Sequence, residues 1–114
     1  MMYKTTKKDF AIFKAEAKKW IKYFGLTEWE YYWEHSDIDS TARCQFNCSE
    51  MTALIILATE MDVKQDFKLS AFHEVCEVLL APMTDLVLEQ YSIAKSCSVT
   101  HNIIHRLENS IFYK

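Results

Sequence analysis

Residues 52–58 read Thr-Ala-Leu-Ile-Ile-Leu-Ala and contain the longest apolar run of the chain. The run has the length of a strand, and its β-branched residues favour extended structure. A strand that directs apolar side chains to both of its faces is typical of a buried position in a sheet. The sequence therefore predicts a strand at 52–58 that is more buried than its neighbours.

Two segments before this run alternate between apolar and polar side chains, which is the period of a strand. The first covers 29–34 and the second covers 42–47. Polar, turn-like residues at 36–40 and a hairpin loop at 48–50 separate the strands. Because these connections are short, we expect the three strands to form an antiparallel sheet.

An amphipathic helix is predicted ahead of the strands. Thr6 and Asp9 have the spacing of a capping box at its start, and Gly25, the only glycine, is a natural cap at its end. Lysines take one side of this segment, and apolar residues recur on the other at steps of three and four. These apolar residues are Phe10, Phe13, Ala17, Trp20, Ile21 and Phe24.

The pattern after the strands is helical. We expect one helix to begin after Asp66 and to end near Ala81, because the following proline cannot continue it. A short helix is predicted at 84–91. Ser98 or Thr100 is predicted to cap a last helix with an apolar stripe.

This order of elements defines the predicted fold class. Strands that follow one helix and precede several others are typical of an α+β domain with helices on one face of a small sheet. The chain has 114 residues, near the commonest size of one domain, and no linker or repeat divides it. We therefore predict one domain over 1–114, with an N-terminal helix, a three-stranded antiparallel sheet and two to three further helices.

Composition excludes several classes of protein. One Gly and one Pro argue against collagen, low-complexity linkers and long disordered tails. A net charge of -3 argues against nucleic-acid binding through a strong basic field. No apolar run reaches the roughly 18 residues that span a bilayer, and the basic N-terminus is not followed by the apolar region of a signal peptide. We expect a cytoplasmic protein without a nucleic-acid or membrane partner.

Cysteines are weak candidates for a metal site in this chain. The four cysteines of a cytoplasmic protein are expected to be reduced thiols. Cys44 and Cys48 could contribute to a zinc knuckle, but they lack the tight paired spacing of such sites, so burial as small apolar side chains is the preferred interpretation. His35 follows the first strand and is interpreted as a strand-end or turn residue.

Residues 71–80 read Ala-Phe-His-Glu-Val-Cys-Glu-Val-Leu-Leu and carry the clearest chemical signal. His73 and Glu77 lie one helical turn apart on one face and can converge on one ion. Glu74 projects about 100° away around the helix. In zincins two ligands have this spacing, and the glutamate between them is the general base. Here Glu77 replaces the second histidine; a carboxylate is an accepted zinc ligand and could favour a harder metal such as manganese.

A catalytic metal needs a further protein ligand and an open position. His101, His105 and Glu108 fall at i, i+4 and i+7 of the last helix and share a face, so a histidine or glutamate from this face could reach His73. Asp85 and Glu89 are weaker candidates. Glu108, like the neighbouring arginine, is otherwise interpreted as a surface or helix-pair charge.

These motifs resemble a known family. The strand at 42–47, the helix at 71–80 and the segment 101–109 are similar to the small zincin-like metallopeptidases encoded by bacteriophages and, more distantly, to the SprT-like metallopeptidases. The resemblance covers most of the chain after the glycine. It implies a zinc peptidase in the host cytoplasm with His101 as the third ligand and His105 as the fallback.

Two functions are therefore predicted as alternatives. In the first, zinc or another divalent metal activates a water that hydrolyses a peptide bond, with Glu74 as general base. The edge strand of the sheet, either 52–58 or its neighbour, would align an extended peptide or protein substrate. Tyr91 is a candidate for stabilising the oxyanion. In the second, the chain is a non-catalytic phage accessory protein that binds a partner on a degenerate zincin scaffold.

Overall fold

In the computed structural model, which describes residues 2–114, the protein is α+β. The elements in chain order are β1 (Tyr3–Lys4), α1 (Lys7–Tyr23), β2 (Glu30–Ser36), β3 (Ala42–Asn47), β4 (Thr52–Ala58), β5 (Glu60–Met61), α2 (Phe67–Leu79), α3 (Ala81–Gln90), α4 (Ile93–Leu107) and a C-terminal π-helical turn (Glu108–Phe112). The predicted strands at 42–47 and 52–58 are confirmed, and the first strand lies within two residues of its predicted bounds.

The sheet is mixed, so the expectation of an all-antiparallel sheet is wrong. Its order is β2-β4-β3: β4 pairs antiparallel with β3 but parallel with β2, from Glu30 opposite Thr52 to Ser36 opposite Ala58. The chain leaves β2, crosses the end of β4 and returns along the far edge as β3. The Ala58 N–H donates to the Thr41 carbonyl at 2.9 Å in this crossing. The most apolar strand thereby takes the centre, and the two strands with a polar face take the edges.

The core lies between one face of this sheet and helices α1 and α2. Ile55 and Leu57 of β4 are fully buried on that face, together with Phe13 of α1 and Phe72 and Val75 of α2. Ile56 points to the opposite face because side chains alternate along a strand. The helices thus cover one face of the sheet, as the element order predicts.

The N-terminal segment forms a second, two-stranded sheet that has no periodic signal in the sequence. β1 pairs antiparallel with β5, with Tyr3 opposite Met61. The Thr5 hydroxyl donates to the Ala58 carbonyl at 2.7 Å, so it accepts from Nε2 of His35 at 2.6 Å. The His35 ring also stacks on Phe10 at 5.0 Å. His35 is therefore a structural residue at the end of β2, as expected.

Helix α1 begins and ends where the sequence predicts. The Asp9 N–H donates to the Thr6 hydroxyl and the Thr6 N–H donates to the Asp9 carboxylate, both at 3.0 Å, which completes the capping box. Gly25 follows the helix with a φ of 70°, a left-handed conformation that favours glycine.

The later helices differ from prediction in their bounds. Asp66 caps α2 as expected. Pro82 follows the end of α2 but lies in the first turn of the next helix, α3. Ser92 caps α4, so the prediction of a cap at Ser98 or Thr100 is wrong. The Thr100 hydroxyl instead lies 2.9 Å from the Thr84 hydroxyl of α3, because small polar side chains form the buried contact between these two helices.

Within residues 2–114, no helix combines the length and the apolarity that crossing a bilayer requires.

The capping box gives a direct test of the N-terminal helix. We expect Thr6→Ala to lower the free energy of unfolding by about 1 kcal/mol, because the Asp9 N–H loses its partner. Urea unfolding followed by circular dichroism measures this change. Ser98→Ala is the matched control, since Ser98 is exposed inside α4. An equal loss in both variants would contradict the assigned helix starts.

Candidate metal centre

Helices α2 and α4 bring three predicted ligands together. One ligand atom from each of His73, Glu77 and His101 lies within 4.8 Å of the other two, and this is the only such group found within residues 2–114. Nε2 of His73 is 3.5 Å from Oε2 of Glu77. The rings of His73 and His101 are 5.3 Å apart. Ligand atoms around a tetrahedral zinc ion lie about 3.4 Å apart, so side-chain rotations of modest size would close the group on an ion.

Core packing fixes the direction of the two ligands on α2. Phe72, Val75 and Cys76 are fully buried, which turns the face with His73 and Glu77 to the edge of the core. Each of these two side chains remains 25% exposed. This exposure leaves room for an ion or a substrate at the group.

Helix α4 presents His101 from the opposite side. Thr100 and Ile104 are buried on α4, and Thr100 is bonded to α3 through Thr84. His101 is exposed between these anchors. The fold therefore agrees with the predicted arrangement: α2 carries two candidate ligands, and the later helix α4 carries the third.

Glu74 is the unusual group beside these ligands. It is only 5% exposed, and its Oε1 has no hydrogen-bond partner among the described residues. Burial raises the pKa of Glu74 to about 8; the charge of Glu77 adds to this shift, and His73 opposes it. A buried carboxyl oxygen without a hydrogen-bond partner is costly and is expected mainly where the group has a function.

A cleft of about 250 Å³ opens beside Glu74. The first residues of β3 and the first turns of α2 form its walls. Its lining residues are Thr41, Ala42, Leu69, Ser70, His73, Glu74 and Glu108. Nothing in the sequence pattern indicated that Thr41, Ala42, Leu69 and Ser70 line a site, because their proximity to Glu74 depends on β3 being an edge strand beside α2.

Glu108 was expected to be a surface or helix-pair charge, and it is a buried charge that contacts another helix. Its side chain is only 11% exposed, and its two oxygens contact two imidazoles. Oε2 is 3.5 Å from Nδ1 of His73, and Oε1 is 3.1 Å from Nδ1 of His105. His105 itself is 67% exposed and is outside the ligand group. In the sequence, the i+7 spacing from His101 indicated that Glu108 lies on the same helix face as His101.

The carboxylates around His73 favour its charged form. The pKa of His73 is raised to about 9, chiefly by its hydrogen bond to Glu77, with smaller contributions from Glu74 and Glu108, and burial opposes the shift. A cation that binds His73 would take the place of this proton. The donor set of two imidazoles and one carboxylate, next to a buried carboxyl with one oxygen that has no hydrogen-bond partner, therefore fits a divalent metal.

The other candidates do not join the group. Burial, aided by nearby carboxylates, raises the pKa of the Cys44 and Cys76 thiols, which disfavours the thiolate form that binds metals. Asp85 and Glu89 are exposed on α3, and Tyr91 is exposed just after it. None of the three lines the cleft or belongs to the ligand group.

Comparisons with protein-family models, curated proteins and solved structures give no match. The assignment of this site therefore depends on its geometry and chemistry alone.

The buried state of Glu74 predicts a pH-dependent effect on stability. The folded protein keeps Glu74 protonated up to about pH 8, whereas the ordinary carboxyl value is 4.5. The folded state thus binds more protons in this window, and its stability falls as the pH rises from 4.5 through 8. We expect Glu74→Gln to remove this loss, which can reach about 1.4 kcal/mol per pH unit.

Urea unfolding of the metal-free protein on both sides of pH 8 measures this effect. Glu89→Gln is the matched control because Glu89 is exposed. If the difference in free energy of unfolding between wild type and Glu74→Gln stayed constant with pH, the result would contradict the buried position of Glu74.

Proposed function

We propose that the protein is a metal-dependent peptidase with a minimal zincin-like site. The observation that carries the proposal is the convergence of His73, Glu77 and His101 beside the buried Glu74, whose Oε1 has no hydrogen-bond partner among the described residues. This combination matches the needs of hydrolysis, which are an ion with an open position and a proton acceptor next to it.

His73, Glu77 and His101 would hold the cation. Zinc suits the two imidazoles, and a harder divalent metal suits the carboxylate. When bound, the ion would polarise the peptide carbonyl and lower the pKa of the attacking water. Measuring the metal content of the purified protein would identify the ion that it selects.

Glu74 provides the acid–base step in this proposal. In the metal-free protein the raised pKa keeps Glu74 protonated near neutral pH, and the positive charge of a bound metal would lower this pKa and favour the carboxylate. Its Oε1, which has no hydrogen-bond partner among the described residues, could then accept the proton that the attacking water loses and later return it. The returned proton would go to the leaving amine, which completes cleavage of the C–N bond.

The outer edge of β3 is suited to an extended peptide. Of the two candidate strands, 52–58 is excluded as the edge because it is central, and its neighbour β3 is at the edge. Thr41 is bonded to Ala58, so by the alternation of an antiparallel ladder the N–H and C=O groups of Ala42, Cys44 and Phe46 point away from β4. No strand pairs with these groups within residues 2–114. A substrate strand added here would run beside the cleft that Ala42 lines.

A metal-binding test addresses the ligand set first. We expect about one metal ion per chain in protein purified untagged from zinc-supplemented medium. His73→Ala and His101→Ala should each lose it, because each removes a ligand. His35→Ala is the matched control, since His35 is bonded to Thr5 and lies outside the group.

Elemental mass spectrometry measures this content and identifies the metal. The proposed function would be contradicted by a wild-type protein that folds normally but binds none of the divalent metals tested.

A substitution of the general base tests catalysis separately. We expect Glu74→Gln to retain the metal but to hydrolyse peptides at least about 100-fold more slowly, because proton transfer is lost. Mass spectrometry of a mixed peptide library measures cleavage. If wild type and Glu74→Gln bind peptides equally and neither cleaves them, the alternative of a non-catalytic accessory binding protein is favoured, since the β3 edge would serve binding alone.

A further inference from the structure

Glu108 lies on the side of His73 that faces away from Glu77. Its Oε2 is 3.5 Å from Nδ1 of His73, whereas Nε2 of His73 is 3.5 Å from Glu77. The His73 ring is thus held between a candidate ligand on one nitrogen and a buried carboxylate on the other. Neither of the two functions predicted from the sequence uses Glu108.

This arrangement determines which nitrogen of His73 is available. An ionised carboxylate can only accept a hydrogen bond, so Glu108 favours a hydrogen on Nδ1 of His73, just as Glu77 favours one on Nε2 in the metal-free protein. A cation bound between Nε2 and Glu77 would take the place of the Nε2 proton, and the one N–H that the neutral ring keeps would then be on Nδ1. In metal sites, a carboxylate on the far nitrogen of a histidine ligand orients the ring and increases its basicity.

We propose that Glu108 is a positioning residue that holds His73 in the Nδ1–H form and leaves Nε2 for the cation. The inference deepens the proposed function and rests on it for the identity of Nε2 as a ligand atom. It also explains why the Glu108 carboxylate is buried at the edge of the core, where its desolvation costs free energy.

Packing of the C-terminal turn holds Glu108 in place. Glu108 begins the π-helical turn, and Phe112 ends it. The Phe112 ring lies 5.3 Å from Phe72 and 6.3 Å from Trp20. Phe72 directly precedes His73 in α2, so one aromatic contact aligns the His73 ring with the Glu108 carboxylate. Short π-helical turns occur frequently at functional sites.

His105 acts on the same carboxylate from outside. Its Nδ1 is 3.1 Å from Oε1 of Glu108, so the two oxygens of Glu108 are divided between two imidazoles. His105 therefore supports Glu108 and does not serve as an alternative ligand to His101. The order of importance for metal binding should be His101, then Glu108, then His105.

Zinc affinity tests this order. We expect Glu108→Ala to weaken zinc binding by about 10–100-fold, the usual effect of removing a carboxylate behind a histidine ligand. Glu108→Gln should fall between wild type and Glu108→Ala, because its amide oxygen can still accept from Nδ1. His105→Ala should have less effect than Glu108→Ala, and His101→Ala should abolish binding.

Competition with a chromophoric chelator measures these affinities. Glu89→Gln is the matched control at an exposed acid. A Glu108→Ala protein with unchanged affinity, or a His105→Ala protein that loses the metal while His101→Ala retains it, would overturn the inference.

Nitrogen-15 NMR of the imidazole rings gives a readout that a merely structural role would not move. Glu77→Ala removes the competing carboxylate at Nε2, so above the pKa of His73 the metal-free Glu77→Ala protein should show the hydrogen on Nδ1. Adding Glu108→Ala should shift it to Nε2, which is the form imidazole favours in water. A Glu77→Ala ring with its hydrogen on Nε2 would overturn the inference even if zinc binds to the wild type. The Nδ1–H form in a protein that binds no metal would support the role of Glu108 and count against the proposed function alone.

Discussion

The edge-to-face contact between Phe72 and Trp20 is the interaction on which the site depends. Their ring centroids are 4.7 Å apart with an interplanar angle of 82°, and both side chains are buried. The contact joins α1 to α2, and Phe112 adds the C-terminal turn to the same cluster. Because Phe72 adjoins His73, any rotation of α2 that moved one ring would also move the imidazole. Aromatic packing therefore sets the directions of the polar groups.

The polar centre itself opposes folding. Glu74, Glu77 and Glu108 lie around one imidazole at the edge of the core, and Glu74 has no partner for one of its oxygens. Burying such groups costs free energy unless they are paired or bound to a metal. A cation would neutralise part of this excess of acid, so metal binding at this group would also stabilise the fold.

Local signals predicted most of the elements and the two candidate ligands on α2, but neither the small β1–β5 sheet nor the neighbours across the main sheet. The Asp66 cap and the i, i+4 spacing of His73 and Glu77 depend on short stretches of chain, and sequence patterns describe these well. The parallel pairing of β2 with β4 depends on which strand is central, which alternation does not show. The i+7 spacing placed Glu108 on the face of His101, but the sequence could not show its burial, which arises from the packing of the C-terminal turn against α2.

The central position of β4 has a consequence for how the chain folds. β3 and β4 are joined by the turn at 48–51 and form a local hairpin, whereas β2 pairs with a strand that begins 22 residues after its own start, at Thr52 opposite Glu30. Local contacts form faster than distant ones, so the hairpin precedes the docking of β2. A nascent chain that ends before residue 52 therefore carries two strands without the partner that both require. Until the ribosome has released β4, those strands are exposed to mispairing with other chains.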